Sequence, residues 1–210
     1  MIEIFVKGGP IMWPLLITSF VAVMVVVERL IFIVREKSRR DRDLVGKVLS
    51  AVERPDIPGA IQASQNSNDF VVRTLGYALQ HREESLSHAL LRAANLELKR
   101  FNRGLGSLDT IITLAPLLGL LGTVTGMIHA FGLLGESELG APTAITGGIA
   151  EALIATGFGL AIAILALIPF NYLNSRLEEA RHEIEDAASH LELLLMRRGK
   201  TECAFKKEIS

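Results

Sequence analysis

The chain has 210 residues, half of them hydrophobic, with a mean hydropathy of +0.37 and a formal charge of -1. The near-zero total points to no acidic or basic partner, while the apolar excess stands above the balance of a soluble domain. One cysteine, Cys203, excludes a disulfide framework and a cysteine-based metal site. Charge is segregated instead of spread: long stretches hold almost none, and the segments between them hold nearly all of it, as a bilayer requires.

Residues 1–10 form a short outer segment with Ile2, Phe5 and Val6 facing lipid. The run IMWPLLITSFVAVMVVVERLIFIV, residues 11–34, is the first predicted span. Lys7 is the one cation before it, and Glu28, Arg29 and a basic cluster follow it, so it reads as a span and not as a cleaved signal peptide. Glu28 and Arg29 sit near its cytoplasmic end, where snorkelling and mutual pairing account for them. Rich in Val, Ile, Leu and Phe, this span is expected to face lipid.

Residues 35–107 read as a helical cytoplasmic insertion. Leu44, Val45, Val48, Leu49 and Val52 recur at helical spacing before Pro55 and Pro58 break the pattern. Further helices are expected over 68–81 and from Ser85, a candidate N-cap. The second span covers 108–134, a short periplasmic loop 135–142, and the third span 143–172. Each is near or above the roughly 20 residues that cross a hydrocarbon core about 30 Å thick, and helices satisfy their own backbone groups there. Over 173–210 the steps Leu173, Leu177, Ala180, Ile184, Ala187, Leu191 and Leu194 make an apolar seam, so the third span is predicted to continue as one long helix that packs on a partner.

Cations set the orientation. Arg35, Lys37, Arg39, Arg40 and Arg42 follow the first span, Lys99, Arg100 and Arg103 precede the second, and Arg176 and Arg181 follow the third. The 135–142 loop carries Glu136 and Glu138 and no cation, which puts the N-terminus outside and the C-terminus in the cytoplasm.

Small residues line one face of each later span: Ala115, Gly119, Gly122, Gly126 and Ala130 in the second, and Gly148, Ala152, Ala155, Gly159, Ala163 and Ala166 in the third. Helices in lipid associate through close van der Waals approach, so these faces are made for tight packing, against each other or against copies of themselves. Polar residues persist beside them: Thr113, Thr123, Thr125 and His129 in the second span, Thr146, Glu151 and Thr156 in the third. A membrane threonine commonly bonds its own helix carbonyl. Glu151 is harder to dismiss: it stands roughly 12 Å deep at 1.5 Å per residue. Burying an unpaired acid at that depth costs about 2.5–3.5 kcal/mol on insertion scales. It is therefore expected to face a polar interior or pore. His129, as an imidazole that can both donate and accept a proton, is a secondary candidate.

No enzyme chemistry competes. GLLGTVTG lacks the GK[ST] ending of a phosphate loop, and HExxH, CxxC and GxSxG are all missing from the sequence. The residues leave two readings open, an ion-conducting transport component and a non-conducting membrane scaffold, with no cofactor or metal expected for either.

The runs APLLGLLGTVTGMIHAF at 115–131 and GGIAEALIATGFGLAIAILALIPFNYL at 147–173, with GGPIMWPLLITSF and ERL at the start, resemble the MotA/TolQ/ExbB proton-channel family, its TolQ/ExbB branch above all. The resemblance covers the membrane part. It implies an all-α inner-membrane protein, three transmembrane helices with long cytoplasmic extensions, assembling as a homopentameric ring. It further implies a dimer of a single-span ExbD/TolR-like partner with a membrane aspartate, and a TonB-like or TolA-like protein beyond it. The family's functional threonines and glutamate fall on Thr123, Thr156 and Glu151, as a polar lining beside the partner aspartate. If this chain conducts protons through a carboxylate of its own, the resemblance makes that group Glu151. Thr125 stands where the motif commonly has an aromatic residue.

Overall fold

A computed structural model describes residue 5, residues 8–132 and residues 141–208, with side chains over 146–197 in the last stretch. Helices α1 Met12–Ser38, α2 Arg42–Glu53, α3 Ile57–Gln65, α4 Phe70–Gln80, α5 Arg82–Asn102, α6 Leu105–Gly132 and α7 Ala141–Glu208 follow in order, with no strand among the described residues. Three helical stretches are long and apolar enough to cross a membrane: Met12–Ser38, the stretch ending at Gly132, and Thr146–Arg197. The protein is thus an all-helical, multi-pass membrane protein. The chain divides into two compact units, residues 1–31 with 104–173 and residues 32–103 with 174–210.

The first unit is made by the apolar runs. Pro14 falls in the first turn of α1, where a missing amide costs nothing, and Thr18 Oγ1 donates to its carbonyl at 2.7 Å. α1 buries a thin stripe: Met12 and Leu15 cluster with Ala115, and Ala22 clusters with Ile111 and Ala166. The remaining apolar side chains point outward, Trp13, Ile17 and Phe20 being about two-thirds exposed, as expected of a lipid-facing helix. Phe5 does not follow the expectation. It packs edge-to-face on Trp13, ring centroids 5.5 Å apart, and against the Met12 cluster, because a ring has more area to bury on an existing apolar patch than at an interface. Ile2 and Val6 lie outside the described residues.

At the other end of this unit, Gly104 turns the chain into α6 at φ +81°, a conformation that favours glycine. Arg29 is buried and bonds the exposed Glu28 at 2.9 Å. It is drawn inward and not extended toward solvent as snorkelling requires.

The second unit is a small helical bundle with acidic caps. Asp41 accepts from Leu44 N at 2.9 Å, Asp56 from Gly59 N at 2.9 Å, and Asp69 from Val71 N and Val72 N at 2.8 and 3.2 Å. α3 is a helix where sequence reading saw only a break. Pro58 lies in its first turn, the one place where proline starts a helix as readily as it ends one. Ser85 leaves helical geometry at φ -171°, ψ 111° and its hydroxyl accepts from His88 N at 3.4 Å, so it caps the stretch of α5 that follows it, as expected, at a kink in the helix.

The seam of the tail is buried at Leu177, Ala180, Ile184, Ala187 and Leu191. Its partner is the chain's own insertion: Arg40 bonds Glu183 at 2.7 Å and Ser87 bonds Glu192 at 2.7 Å. The expectation of a separate partner for this seam is corrected accordingly. An apolar seam must be covered, and here the insertion covers it.

Candidate functional site

The small-residue faces meet each other within one chain. Ala115, Gly119, Gly122, Gly126 and Ala130 of α6 are all buried, as are Gly148, Ala152, Ala155 and Gly159 of α7. The approach is backbone-close. A Cβ on Gly159 would lie 2.5 Å from the Ala115 carbonyl oxygen, and one on Gly119 would lie 3.0 Å from Thr156 Cα. A Cβ on Gly148 would meet Ala130 Cβ at 2.6 Å. Of the two partners left open by the sequence, α6 and α7 use each other, and the stripes are not free to join copies of the chain.

This approach fixes two hydroxyls. Thr156 Oγ1 crosses the interface and donates to Gly119 O at 2.9 Å, while Thr123 Oγ1 donates to Leu120 O at 2.7 Å. Gly119 stands four residues before Thr123, about 40° around a helix of 3.6 residues per turn, so Thr156 meets α6 one turn from Thr123. Both are partly exposed there. Thr113 lies further toward the N-terminal end of α6, donating to Thr110 O at 2.9 Å and Asp109 O at 3.2 Å. Asp109, which sequence reading passed over, is an exposed carboxylate one turn before Thr113. Its signal was available: an acid just inside the N-terminal end of an otherwise uncharged span.

Glu151 is not brought to these threonines. Five residues separate it from Thr156, about 140° around a helix of 3.6 residues per turn. Its carboxyl packs on Gly9 instead, where a Cβ would fall 1.7 Å from Oε1, and Gly9 holds φ +72°. On the same flank of α7, Ile154 packs against the Met12 cluster of α1. The amides that open α1 are taken by preceding carbonyls, Met12 N by Gly9 O at 3.2 Å and Trp13 N by Pro10 O at 3.3 Å.

Thr125 and His129 lie away from Thr123 as well. Thr125 is two residues on, about 200° around the helix, and its hydroxyl bonds Leu121 O at 3.0 Å. His129 and Thr146 are exposed near the outer ends of their helices. The loop with Glu136 and Glu138 falls outside the described residues. No group of three or more metal-ligating side chains occurs among the described residues.

Three spanning helices, two of them glycine-packed, with hydroxyls beside their contact, define a multi-pass α-helical membrane protein. A family model described as the MotA/TolQ/ExbB proton channel family matches residues 62–186. The ExbB-like 1 protein of Synechocystis sp. is 35% identical over 201 residues, covering 92% of this chain and 78% of that one. The biopolymer transport protein ExbB of Neisseria gonorrhoeae is 36% identical over 99 residues, 47% of this chain and 45% of that one. The Tol-Pal system protein TolQ of Haemophilus influenzae is 33% identical over 120 residues, 55% and 53%. The chain belongs to the MotA/TolQ/ExbB proton channel family. That is a family of transport proteins and not of enzymes, and its ExbB members carry biopolymer transport in their names.

Proposed function

We propose that this chain is the ring-forming subunit of a proton-driven motor of the inner membrane. Five copies surround a dimer of a single-span, ExbD/TolR-like partner whose membrane aspartate carries the proton. The work passes through a TonB-like or TolA-like protein to the cell envelope, as in energised outer-membrane transport. The N-terminus is periplasmic and the C-terminus cytoplasmic, on the cation distribution.

The observation that carries this reading is the pair Thr123 and Thr156, two hydroxyls anchored on carbonyls of α6 beside its contact with α7. Such fixed, partly exposed hydroxyls are what a protonating and deprotonating carboxyl on a neighbouring helix needs as hydrogen-bond partners. On this reading Thr123 and Thr156 line the path, with Thr113 and Asp109 toward its cytoplasmic end, and Glu151 secures α1.

A non-conducting scaffold is the second reading, and one observation favours it: both hydroxyls are already satisfied by backbone carbonyls. Proton flux separates the two. In vesicles holding this chain with its single-span partner, flux is expected and should fall at least tenfold in Thr123→Val with Thr156→Ser retaining it. Undiminished flux in Thr123→Val combined with Thr156→Val would leave the scaffold standing. Mass measurement in mild detergent should give five copies, with added mass from the partner; a monomer would refute the ring.

A further inference from the structure

The first helix runs past its last spanning residue, Val34, into the cytoplasmic unit, and places Glu36 there. Glu36 is 4% exposed, and its Oε1 has no hydrogen-bond partner among the described residues. An ionised carboxylate has about four lone-pair sites to satisfy, and a dry, unbonded oxygen is costly in that form and much less so once protonated. The nearest cation, Arg73 of α4, comes within 3.7 Å but is committed elsewhere: it gives Glu97 of α5 two bonds, at 3.1 and 2.7 Å. Arg100 also bonds Glu97, at 2.7 Å. Two carboxyls share these two guanidiniums, and Glu97 takes three of their bonds.

Glu36 also borders a cavity of about 530 Å³ lined by Phe70, Phe101 and polar side chains. That volume holds several waters, each needing about 30 Å³, which gives a proton a short way in and out. Facing groups are of both signs. Lys37, Arg39 and Arg40 come from its own helix or the turn after it, Asp41, Arg42 and Asp43 from the start of α2, and Arg176, Glu179 and Glu183 line the cavity from the tail of α7.

We propose that Glu36 is a protonation site of the cytoplasmic unit, exchanging its proton with water in this cavity. On release the proton passes to water and the carboxylate left behind draws Arg73 from Glu97, so a bond between α4 and α5 weakens as one to α1 forms. Uptake reverses the exchange. Burial raises the Glu36 carboxyl above its ordinary range, more than Arg100 and Arg73 lower it, in agreement with the geometry. The site extends the proton-handling reading but does not depend on the motor being intact.

Infrared difference spectroscopy of the full chain in detergent, titrated in pH with carboxyl-labelled glutamate, tests it. A carboxyl band titrating above the ordinary glutamate range is expected, and Glu36→Gln should abolish it. Glu97→Gln should shift the same band toward lower pH, since it removes a like charge and frees two cations. Loss of no band in Glu36→Gln would overturn the proposal. So would a band that ignores Glu97→Gln, the outcome that decides the matter if Glu36→Gln fails to fold. Proton flux of the assembled complex, measured beside it, judges the motor separately.

Discussion

Alanine at Gly159 and at Gly157 should act in opposite directions, although the two positions are two residues apart on one helix. A methyl group on Gly159 would stand 2.5 Å from Ala115 O, 3.1 Å from Gly119 Cα and 3.2 Å from Gly119 N. All three are backbone atoms, so no side chain can swing away and the helices must separate by several tenths of an ångström. Overpacking of this kind costs about 1–3 kcal/mol, and rigid neighbours place this case toward the upper end. Separation also stretches the Thr156–Gly119 bond of 2.9 Å one turn away, worth about 0.6 kcal/mol more on average for an interhelical bond in a membrane. The expected loss is thus about 3 kcal/mol, roughly a hundredfold in the folding equilibrium. At Gly157 a Cβ meets nothing within 4 Å, and the gain in helix propensity is up to about 1 kcal/mol. Reversible unfolding of the purified chain in mixed micelles, followed by far-UV circular dichroism, measures both. A Gly159→Ala variant as stable as wild type, or a Gly157→Ala variant equally damaged, would refute the close approach of α6 and α7.

Thr156→Val should lower stability by about 0.6 and at most 1.7 kcal/mol, with Thr156→Ser recovering most of it in the same unfolding assay. Gly9→Ala should release the start of α1: positive φ costs a residue with a Cβ about 1–2 kcal/mol, and the methyl displaces Glu151. Cysteine accessibility at Pro10→Cys, in an otherwise cysteine-free chain, should rise, and unchanged labelling would speak against the Gly9–Glu151 contact. Asp69→Ala removes two capping bonds and one of the carboxylates holding Arg40, so about 3 kcal/mol is expected; a loss under 1 kcal/mol by chemical denaturation would refute its structural role. For pH, the Glu36 carboxyl is raised when folded. Its contribution to stability is therefore fully present below about 4.5 and declines as pH rises through the higher folded value. Glu36→Gln should flatten that decline in a melting series, and an unaltered slope would contradict it.

Much of this was legible from the chain alone. Apolar runs gave three spanning helices because only helices hide a backbone in oil, and the spacing of glycine and alanine gave the packing faces residue by residue. What spacing does not carry is the identity of the opposing surface. The stripe at Gly119 and the seam at Ile184 each announce that something covers them, and in both cases the cover came from the same chain. Glu151 shows a related limit: its motif sets it near Thr156 in the linear order, while five helical steps turn it about 140° away within one chain. The Glu36–Arg73–Glu97 cluster was invisible because it joins three helices across more than sixty positions, and charges in a cytoplasmic insertion look alike until they are folded. Pro58 shows the limit of local signals, since one residue type both closes and opens helices.

Because the glycine-rich surfaces of α6 and α7 are spent on each other, the membrane helices of neighbouring copies in the proposed ring would meet through side chains left outside, such as Leu117, Leu120, Val124, Phe158 and Leu160. Bulky hydrocarbon against bulky hydrocarbon gains little over the same side chain against an acyl tail. In such a ring, packing within the bilayer would be a near-even contest with the surrounding lipid, which makes bilayer thickness a lever on its stability.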